Sequence, residues 1–212
     1  MEIRVNPTRM ELNRLKKRLT MAQRGHKLLK DKRDELIRQF VILVRKNKDL
    51  REQTEQALSE AFARFLLARA AMPIESLESA LMYPTRRLSL EVTRKNIMSV
   101  YAPHFTWEET AVTEEGGIFP YGFVDTSAEL DTSIETLSKV MSQLMELAEV
   151  EKATQLLAVE IEKTRRRVNA LEYVLIPQME DTIRYITMKL EENERGALTR
   201  LMKIKDVVRA SR

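Results

Sequence analysis

Two histidines and several adjacent carboxylates are the residues of this chain that could do chemistry. His104, in the sequence YAPHFTW, has no cysteine and no second histidine nearby with which it could share a metal ion. The pairs Glu108–Glu109 and Glu114–Glu115 fit solvated acidic turns better than a catalytic dyad, because an acid–base pair needs a pocket that separates the two pKa values. The sequence therefore predicts no catalytic residue and no metal ligand.

Cofactor binding finds no support in the sequence either. The chain has five glycines, and none of them belongs to a G-x-x-x-x-G-K loop of the kind that cradles phosphates. It has no cysteine, which excludes a disulfide framework and a thiolate metal site and is compatible with a reducing compartment. We expect a chain that binds no cofactor and is not itself an enzyme.

Charge is distributed unevenly along the 212 residues. The first 33 residues hold eleven Lys or Arg against three Asp or Glu, the last 18 hold six against one, and residues 106–162 hold two against thirteen. Basic ends and an acidic middle indicate different partners at different places. Three consecutive arginines, Arg165, Arg166 and Arg167, allow two interpretations: contact with an acidic partner or nucleic acid, or a solvated helix face with internal ion pairs.

A narrow apolar stripe predicts one long helix over residues 8–72. Thr8-Arg9-Met10-Glu11 fits a capping box at its start, and Pro73 would end it. Leucine or alanine occupies nearly every d position of a heptad repeat, as in a coiled-coil seam, and His26 at an a position favours a polar role in setting register. The a positions are Leu12, Leu19, His26, Arg33, Phe40, Asn47, Thr54, Ala61 and Ala68, and the d positions are Leu15, Ala22, Leu29, Leu36, Leu43, Leu50, Ala57, Arg64 and Ala71.

A second stripe predicts another long helix over residues 127–210. Thr132-Ser133-Ile134-Glu135 fits a capping box, and Thr126 to Glu129 offers an earlier start. Two such helices fold most simply as a long antiparallel two-helix coiled coil, so the predicted fold class is mainly α. The second stripe consists of Leu147, Val150, Thr154, Leu157, Ile161, Thr164, Val168, Leu171, Leu175, Met179, Ile183, Ile186, Leu190, Asn193, Ala197, Leu201, Ile204 and Val208.

Residues 73–126 differ from both helices and are predicted to form a small mixed insert. PIESLESALMYP favours a short helix between Pro73 and Pro84. In RLSLEVT the apolar residues alternate, which favours a strand, and KNIMSVYAP is the candidate hairpin partner. EEGGIFPYGFVDTS is rich in glycine and proline and is typical of a loop or irregular hairpin.

No segment is predicted to enter a membrane. The start of the chain, MEIRVNPTRMEL, lacks the apolar core of a signal peptide. The longest apolar run, FVILV at Phe40 to Val44, is far shorter than the ~18 residues that a membrane span needs. We expect a soluble, cytoplasmic protein that works at a membrane only if another protein holds it there.

Four segments carry a family resemblance. NPTRMELNRLKKRLTMAQRGHKLLKDKRDEL and EKTRRRVNALEYVLIP resemble the two signature segments of the D subunit of the rotary V-type and A-type ATPases. KNIMSVYAPHF and YGFVDTSAELD resemble the same family, so the resemblance covers essentially the whole chain. RRRVNALEYVLIP is more specific than a generic coiled-coil sequence.

The resemblance implies a central rotor subunit that does not bind nucleotide. In that family the two long helices form an antiparallel coiled coil whose termini enter a head of alternating catalytic A and non-catalytic B subunits. The lower part and insert bind the small F subunit of the central stalk and sit on a funnel-shaped subunit above the membrane ring. The implied role is to transmit torque between ATP hydrolysis or synthesis in the head and ion translocation by the ring. The implied location is peripheral to the membrane, without direct insertion into it. The resemblance also implies that the chain does not bind nucleic acid.

A basic tip follows as a hypothesis from the charge pattern and the antiparallel fold. Long Lys and Arg side chains can interact with successive acidic neighbours at a distance without committing to one pocket. The residues predicted to contact the head are Arg4, Arg9, Arg14, Lys16, Lys17, Arg18, Arg195, Arg200, Lys203 and Lys205.

Two alternatives to the rotor role stay open at this point. A basic coiled-coil arm could bind RNA or DNA, although the tip lacks the aromatic residues that stack on bases. A coiled-coil adaptor or tether for another scaffold would share the same fold, so the identity of its partners separates it from a rotor subunit.

Pro177 stands in the middle of the second helix, where proline removes one backbone hydrogen bond and crowds the carbonyl of Tyr173. Around it the apolar stripe advances in steps of 3, 4, 4, 4 and 3 residues, whereas a heptad repeat alternates steps of 3 and 4. The residues of this stripe are Val168, Leu171, Leu175, Met179, Ile183 and Ile186. This spacing is a local departure toward an eleven-residue repeat. We therefore predict a kink or a change of supercoil within one turn of Pro177.

Overall fold

The computed structural model describes residues 6–111, 118–122 and 126–210, and most of its regular structure is helical. The mainly α class with a small mixed insert is confirmed. In chain order the elements are helix α1 (Arg9–Ala71), helix α2 (Ile74–Leu81), strand β1 (Arg86–Ile97), strand β2 (Val100–Ala111), helix α3 (Ala128–Ala170), a π-helical segment (Leu171–Leu175) and helix α4 (Ile176–Ala210).

Of the two predicted capping boxes, only the first lies at a helix start. The Glu11 amide donates a hydrogen bond of 3.2 Å to Thr8 Oγ1, which is one half of a capping box, whereas the Thr8 amide donates to the Asn6 carbonyl. Helix α3 begins at Ala128, so Thr132 lies inside it, and the Thr132 hydroxyl donates to the Glu129 carbonyl at 3.0 Å. The earlier of the two predicted starts, Thr126 to Glu129, contains the observed one at Ala128. The start predicted at Thr132 is wrong, because a threonine hydroxyl can also bond back to the preceding turn of a helix.

Burial follows the predicted seam of α1 over most of its length. Every a position is buried or half-buried, and so is every d position as far as Ala57. Arg64 and Ala71, the last two d positions, are exposed, and Phe65 and Met72 face inward instead. Phe65 and Met72 pack with the core that contains Leu77 and Ala80, so the short helix after α1 sets the inward face of α1 at this end.

The contacts group the chain into two units, residues 1–35 with 161–212 and residues 36–160. In the first unit, Arg9 pairs with Glu194, whereas His26, further along α1, lies near Glu172, which comes earlier in the chain. In the second unit, Ala68 of α1 shares a buried cluster with Leu130 of α3. The division of the chain at residues 73 and 126 stays a prediction.

The insert is fixed by a small apolar core in the second unit. Ala68 and Met72 at the end of α1 pack with Leu77 and Ala80 of α2 and with Leu130 of α3. This is the short helix predicted between Pro73 and Pro84, and its inward face is the one carrying Leu77 and Ala80. The Tyr121 hydroxyl donates a hydrogen bond of 2.8 Å to the Asp131 carboxylate. Burial of the hydroxyl, together with this hydrogen bond, raises the pKa of Tyr121.

Strands β1 and β2 form the predicted hairpin, but the turn lies elsewhere in the sequence. KNIMSVYAP contains the end of β1, the turn and the start of β2, so it is not the partner strand itself. Met98 and Ser99 have φ angles of 52° and 71°. Positive φ at both central residues defines the type I′ turn, whose twist matches that of the flanking strands. Of the predicted loop EEGGIFPYGFVDTS, only residues 118–122 and 126–127 are described, and they form no helix or strand.

Among the described residues, no helix combines the length and the apolar character that crossing a membrane requires.

Candidate functional site

The predicted basic tip is built from the start of α1 and the end of α4. Arg9 lies 2.5 Å from Glu194, the residue before Arg195, so the two basic segments meet in the first unit. Beyond that pair, α4 continues to Ala210. Lys17 lies two turns inward from Arg9, so it is about 25 Å from the level of Lys203 at 1.5 Å per residue. The basic residues are thus spread along the helix axis.

Within this basic surface, two arginines have their charge balanced by a nearby carboxylate. Arg9 pairs with Glu194, and Arg14 lies 3.4 Å from Glu11 one turn earlier. Arg4 lies outside the described residues. The remaining predicted residues are exposed and make no ion pair with any described residue: Lys16, Lys17, Arg18, Arg195, Arg200, Lys203 and Lys205.

The end of α4 carries apolar side chains that no described part of the chain covers. The predicted seam continues through this region, yet Leu201 and Ile204 are exposed, with 62% and 59% of their surface accessible. The reason is that α1 begins at Arg9, beside Glu194, and so cannot cover residues 195–210. Exposed apolar patches of this kind occur at protein–protein contacts.

The three arginines in the middle of the second helix are all exposed in α3. Arg166 is paired with Glu162, one turn earlier. Arg165 and Arg167 make no ion pair with the residues that the structure describes. The described residues thus show a solvated helix face with one internal ion pair, and contact of the other two arginines with an acidic partner or nucleic acid stays a prediction.

A π-helical segment ends at Leu175, two residues before Pro177. The Ile176 amide donates to the Leu171 carbonyl, five residues back, in place of the usual four. Leu175, a predicted seam residue, is 41% exposed, whereas Ile176 is half-buried. The seam therefore steps from Leu171 to Ile176, and the predicted eleven-residue spacing through Leu175 is wrong. The step of five places one extra residue between these two seam positions, and the helix accommodates it in one π-helical turn, which is wider than an α-helical turn.

His26 occupies the a position predicted for it and faces the π-helical segment. Its Nε2 lies 3.4 Å from Oε2 of Glu172, and its side chain is 20% exposed. The contact joins α1 to the widened turn across the seam. It fits the polar, register-setting role that the heptad position predicted.

The other histidine belongs to a clamp that holds the hairpin. His104 Nδ1 lies 3.0 and 3.1 Å from the two carboxylate oxygens of Glu149 in α3, and the Phe105 amide donates to the same carboxylate at 3.1 Å. Burial raises the pKa of Glu149, but the bonds from His104 and Phe105 outweigh it and hold that pKa below its usual range. One carboxylate thus ties the outer edge of β2 to α3.

The insert end of the second unit presents an apolar groove and exposed apolar side chains. The groove, of about 380 Å³, is lined mainly by residues of the α2 end, the hairpin base and α3, among them Tyr83, Leu88 and Met141. Phe62 and Leu66 of α1 and Met82 after α2 are also exposed. No cluster of metal-ligating side chains occurs among the residues that the structure describes.

Comparison with known proteins identifies the family. The model of the family described as the D subunit of ATP synthase matches residues 11–206. The chain belongs to the ATP synthase D-subunit family. A V-type ATP synthase D subunit from Acetivibrio thermocellus is 62% identical over 206 residues, which cover 97% of this chain and 92% of that protein. Proteins of the same name from Clostridium novyi and Clostridium botulinum are 60% and 58% identical, over 97% and 98% of this chain and 95% and 96% of theirs.

Three features of this D-subunit family member were not predicted from its sequence. Glu149 looked like one carboxylate of an acidic region, and only the folded hairpin brings His104 and Phe105 to it. The type I′ turn uses Met98 and Ser99, whereas the usual signal for this turn is Asn-Gly. The π-helical segment could have been found from the seam, because a step of five from Leu171 to Ile176 restores the alternation of 3 and 4 on both sides.

Proposed function

We propose that this chain is the central-stalk subunit of a V-type ATP synthase and transmits torque between the A and B subunits of the head and the ion-carrying membrane ring. The observation that carries this proposal is the family match over residues 11–206, together with relatives of about 60% identity that are named as D subunits of V-type ATP synthases. The chain itself is a non-catalytic subunit and takes no cofactor. It is peripheral to the membrane and is held there by other subunits.

The packing of the two long helices supports a torque-bearing role. Seam residues such as Leu36, Leu157 and Ile186 are fully buried. Ion pairs join the helices in each unit, as Arg9 does with Glu194 and Lys46 with Glu146. An apolar seam resists sliding because any displacement of one helix exposes buried side chains to water.

The end of α4 is the part that we assign to the head. It combines exposed apolar residues with unpaired basic ones, among them Leu201 beside Arg200 and Lys203. The apolar side chains can pack against the walls of the head, and the basic ones can follow acidic residues there as the rotor turns. Arg165 and Arg167 extend this basic surface along the first unit.

The insert is the part that we assign to the small F subunit and to the funnel-shaped subunit above the ring. Exposed Phe62, Leu66, Met82 and Tyr83 leave a large apolar surface at this end of the second unit. The adjoining groove supplies a concave apolar site for a helix or loop of a partner. Surfaces of this kind on one protein mark contacts with others.

Reconstitution tests the stalk role. The full chain is mixed with the A, B and F subunits of a V-type ATP synthase, the complex is isolated, and the rotation of a bead attached to the hairpin is recorded while ATP is hydrolysed. We expect one stable complex in which the bead turns in one direction. A chain that joins no complex, or a bead that stays still during hydrolysis, would contradict the proposal.

Charge neutralisation tests the basic tip. We expect a variant with six Gln substitutions to lower the ATPase rate of the complex about tenfold or more, because the basic side chains no longer attract acidic residues of the head. The substituted residues are Lys16, Lys17, Arg18, Arg200, Lys203 and Lys205. The control variant replaces Arg45, Lys48 and Lys152, exposed basic residues of the second unit, and should retain its rate. Equal rates for the two variants, with equal assembly, would reject the assignment.

A further inference from the structure

The seam of the second helix contains one residue too many. From Val168 the inward positions run Leu171, Ile176, Met179, Ile183, Ile186 and Leu190, with steps of 3, 5, 3, 4, 3 and 4. The alternation of 3 and 4 is regular on both sides of the step of five. The π-helical segment therefore holds a single inserted residue between two correctly registered parts of one seam.

Pro177 lies where the wide turn closes. An α-helical register would pair its amide with the Tyr173 carbonyl and a π-helical register with the Glu172 carbonyl, but proline has no N–H to give to either. The change from one register to the other therefore costs no additional hydrogen bond at this position.

The inserted residue lies on the outside of the first unit. Tyr173, Val174 and Leu175 are 71%, 47% and 41% exposed, so no buried packing fixes their rotation about the helix axis. Among the described residues, the one polar contact between α1 and this segment is the 3.4 Å approach of His26 to Glu172. On both sides, by contrast, the seam is held by the buried residues Val168 and Ile186.

We propose that the π-helical segment is a torsional joint, a point at which α4 twists relative to α3 more easily than elsewhere. The inference rests on the proposed role of the chain in carrying torque. Replacing i→i+5 by i→i+4 bonds one at a time moves the inserted residue along the segment and rotates the residues it passes by about 100° each. Because those residues face solvent, the movement leaves the seam packing on either side intact.

Deletion of Val174 removes the inserted residue and gives the seam steps of 3, 4, 3, 4, 3 and 4. In the isolated full chain, we expect amide exchange of residues 171–178 to slow by about tenfold, because α-helical bonds replace the π turn. In the reconstituted rotating complex, we expect the variance of the bead angle during each pause to fall about twofold, because the joint has been replaced by regular helix.

A second variant separates the seam from the proline. Pro177→Ala restores the missing N–H and keeps the inserted residue, so we expect the π turn, its fast exchange and the wild-type angular variance all to persist. Slow exchange in Pro177→Ala equal to that of the deletion would overturn the proposal, because the proline and not the seam would then create the turn. An unchanged angular variance in the deletion variant would also overturn it. If the wild-type complex does not rotate, the failure lies in the proposed stalk role itself.

Discussion

At the scale of single residues, Glu149 is the side chain on which the position of the hairpin depends. It accepts hydrogen bonds from His104 and from the Phe105 amide, and it is three-quarters buried. The outer edge of β2 would otherwise leave backbone groups without partners, which is the usual weakness of an edge strand. A carboxylate in this position accepts a hydrogen bond from the edge of the strand and also attaches that edge to α3.

Glu149→Gln should loosen the hairpin. We expect a loss of about 1–2 kcal/mol in the free energy of unfolding, because charge-assisted bonds to two donors are weakened. Chemical denaturation measures the loss, and amide exchange in β2 should accelerate with it. Glu146→Gln is the matched control, since Glu146 pairs with Lys46 on an exposed surface and should contribute under ~1 kcal/mol. Equal losses would argue against the clamp.

The ionisation of Glu149 should also make the folding stability depend on pH. The pKa of Glu149 is lower in the folded chain than in the unfolded one, so its contribution to stability is complete above the unfolded value of ~4.3. It is lost as the pH falls through the folded pKa. Glu149→Gln should therefore flatten part of the decline in stability below about pH 4.5. A decline as steep as in the wild type would show that other carboxylates produce it.

The turn between β1 and β2 is a second site where residue type and conformation disagree. Met98 and Ser99 have positive φ, which costs residues with a Cβ about 1 kcal/mol each. The double substitution Met98→Asn and Ser99→Gly supplies the residues that this turn prefers and should stabilise the hairpin by about 1 kcal/mol. Slower amide exchange in β1 and β2 would report the gain. Ser89→Gly, inside β1, should have the opposite effect.

At the scale of elements, heptad counting predicted both long helices, because burial of a narrow seam follows directly from apolar spacing. It failed where backbone hydrogen bonding changed. Leu175 and Ile176 are both apolar, and only the register of the backbone decides which of them faces inward. It failed again at Arg64, which is exposed, because the neighbouring Phe65 packs against the core that α1 shares with α2.

Two glycines weaken the long helices without a packing reason. A Cβ added at Gly25 of α1 or Gly196 of α4 would meet nothing within 4 Å. Gly25→Ala and Gly196→Ala should each stabilise the isolated chain by about 0.5–1 kcal/mol, because alanine loses less backbone entropy in a helix. Thermal unfolding followed by circular dichroism measures the change. Gln23→Gly, at an exposed site of α1, should lower stability by a similar amount, and a gain there would refute the reasoning.

At the scale of the whole molecule, the family resemblance predicted the role, whereas composition alone left an adaptor or a nucleic-acid-binding arm open. The part of α4 after Glu194 shows why sequence periodicity could not locate the partners. Its apolar spacing continues the seam, yet in the described chain nothing covers Leu201 or Ile204. A stripe on one helix has the same pattern whether its partner is α1 or another protein.

Truncation after Glu194 separates folding from function at this scale. The removed residues of α4 are mostly exposed, so we expect the free energy of unfolding to change by less than about 1 kcal/mol. The reconstituted complex should lose most of its coupled ATPase activity, since the end that we assign to the head is gone. Truncation after Ile183 is the comparison, because it also removes the fully buried Ile186 and should destabilise the chain. Retained coupling after the shorter truncation would exclude the head assignment.

The antiparallel pairing also sets the order in which the chain is expected to fold. Ala68 and Leu130, which share one core, are 62 residues apart along the chain, whereas His26 and Glu172 are 146 apart and Arg9 and Glu194 are 185 apart. Closing a long loop in one step loses more chain entropy, and is therefore slower, than adding further contacts next to a shorter loop that has already closed. Pairing should therefore nucleate beside the insert and zip toward the termini. The end of α4 would then be the last segment to order, ready for whichever protein meets it during assembly.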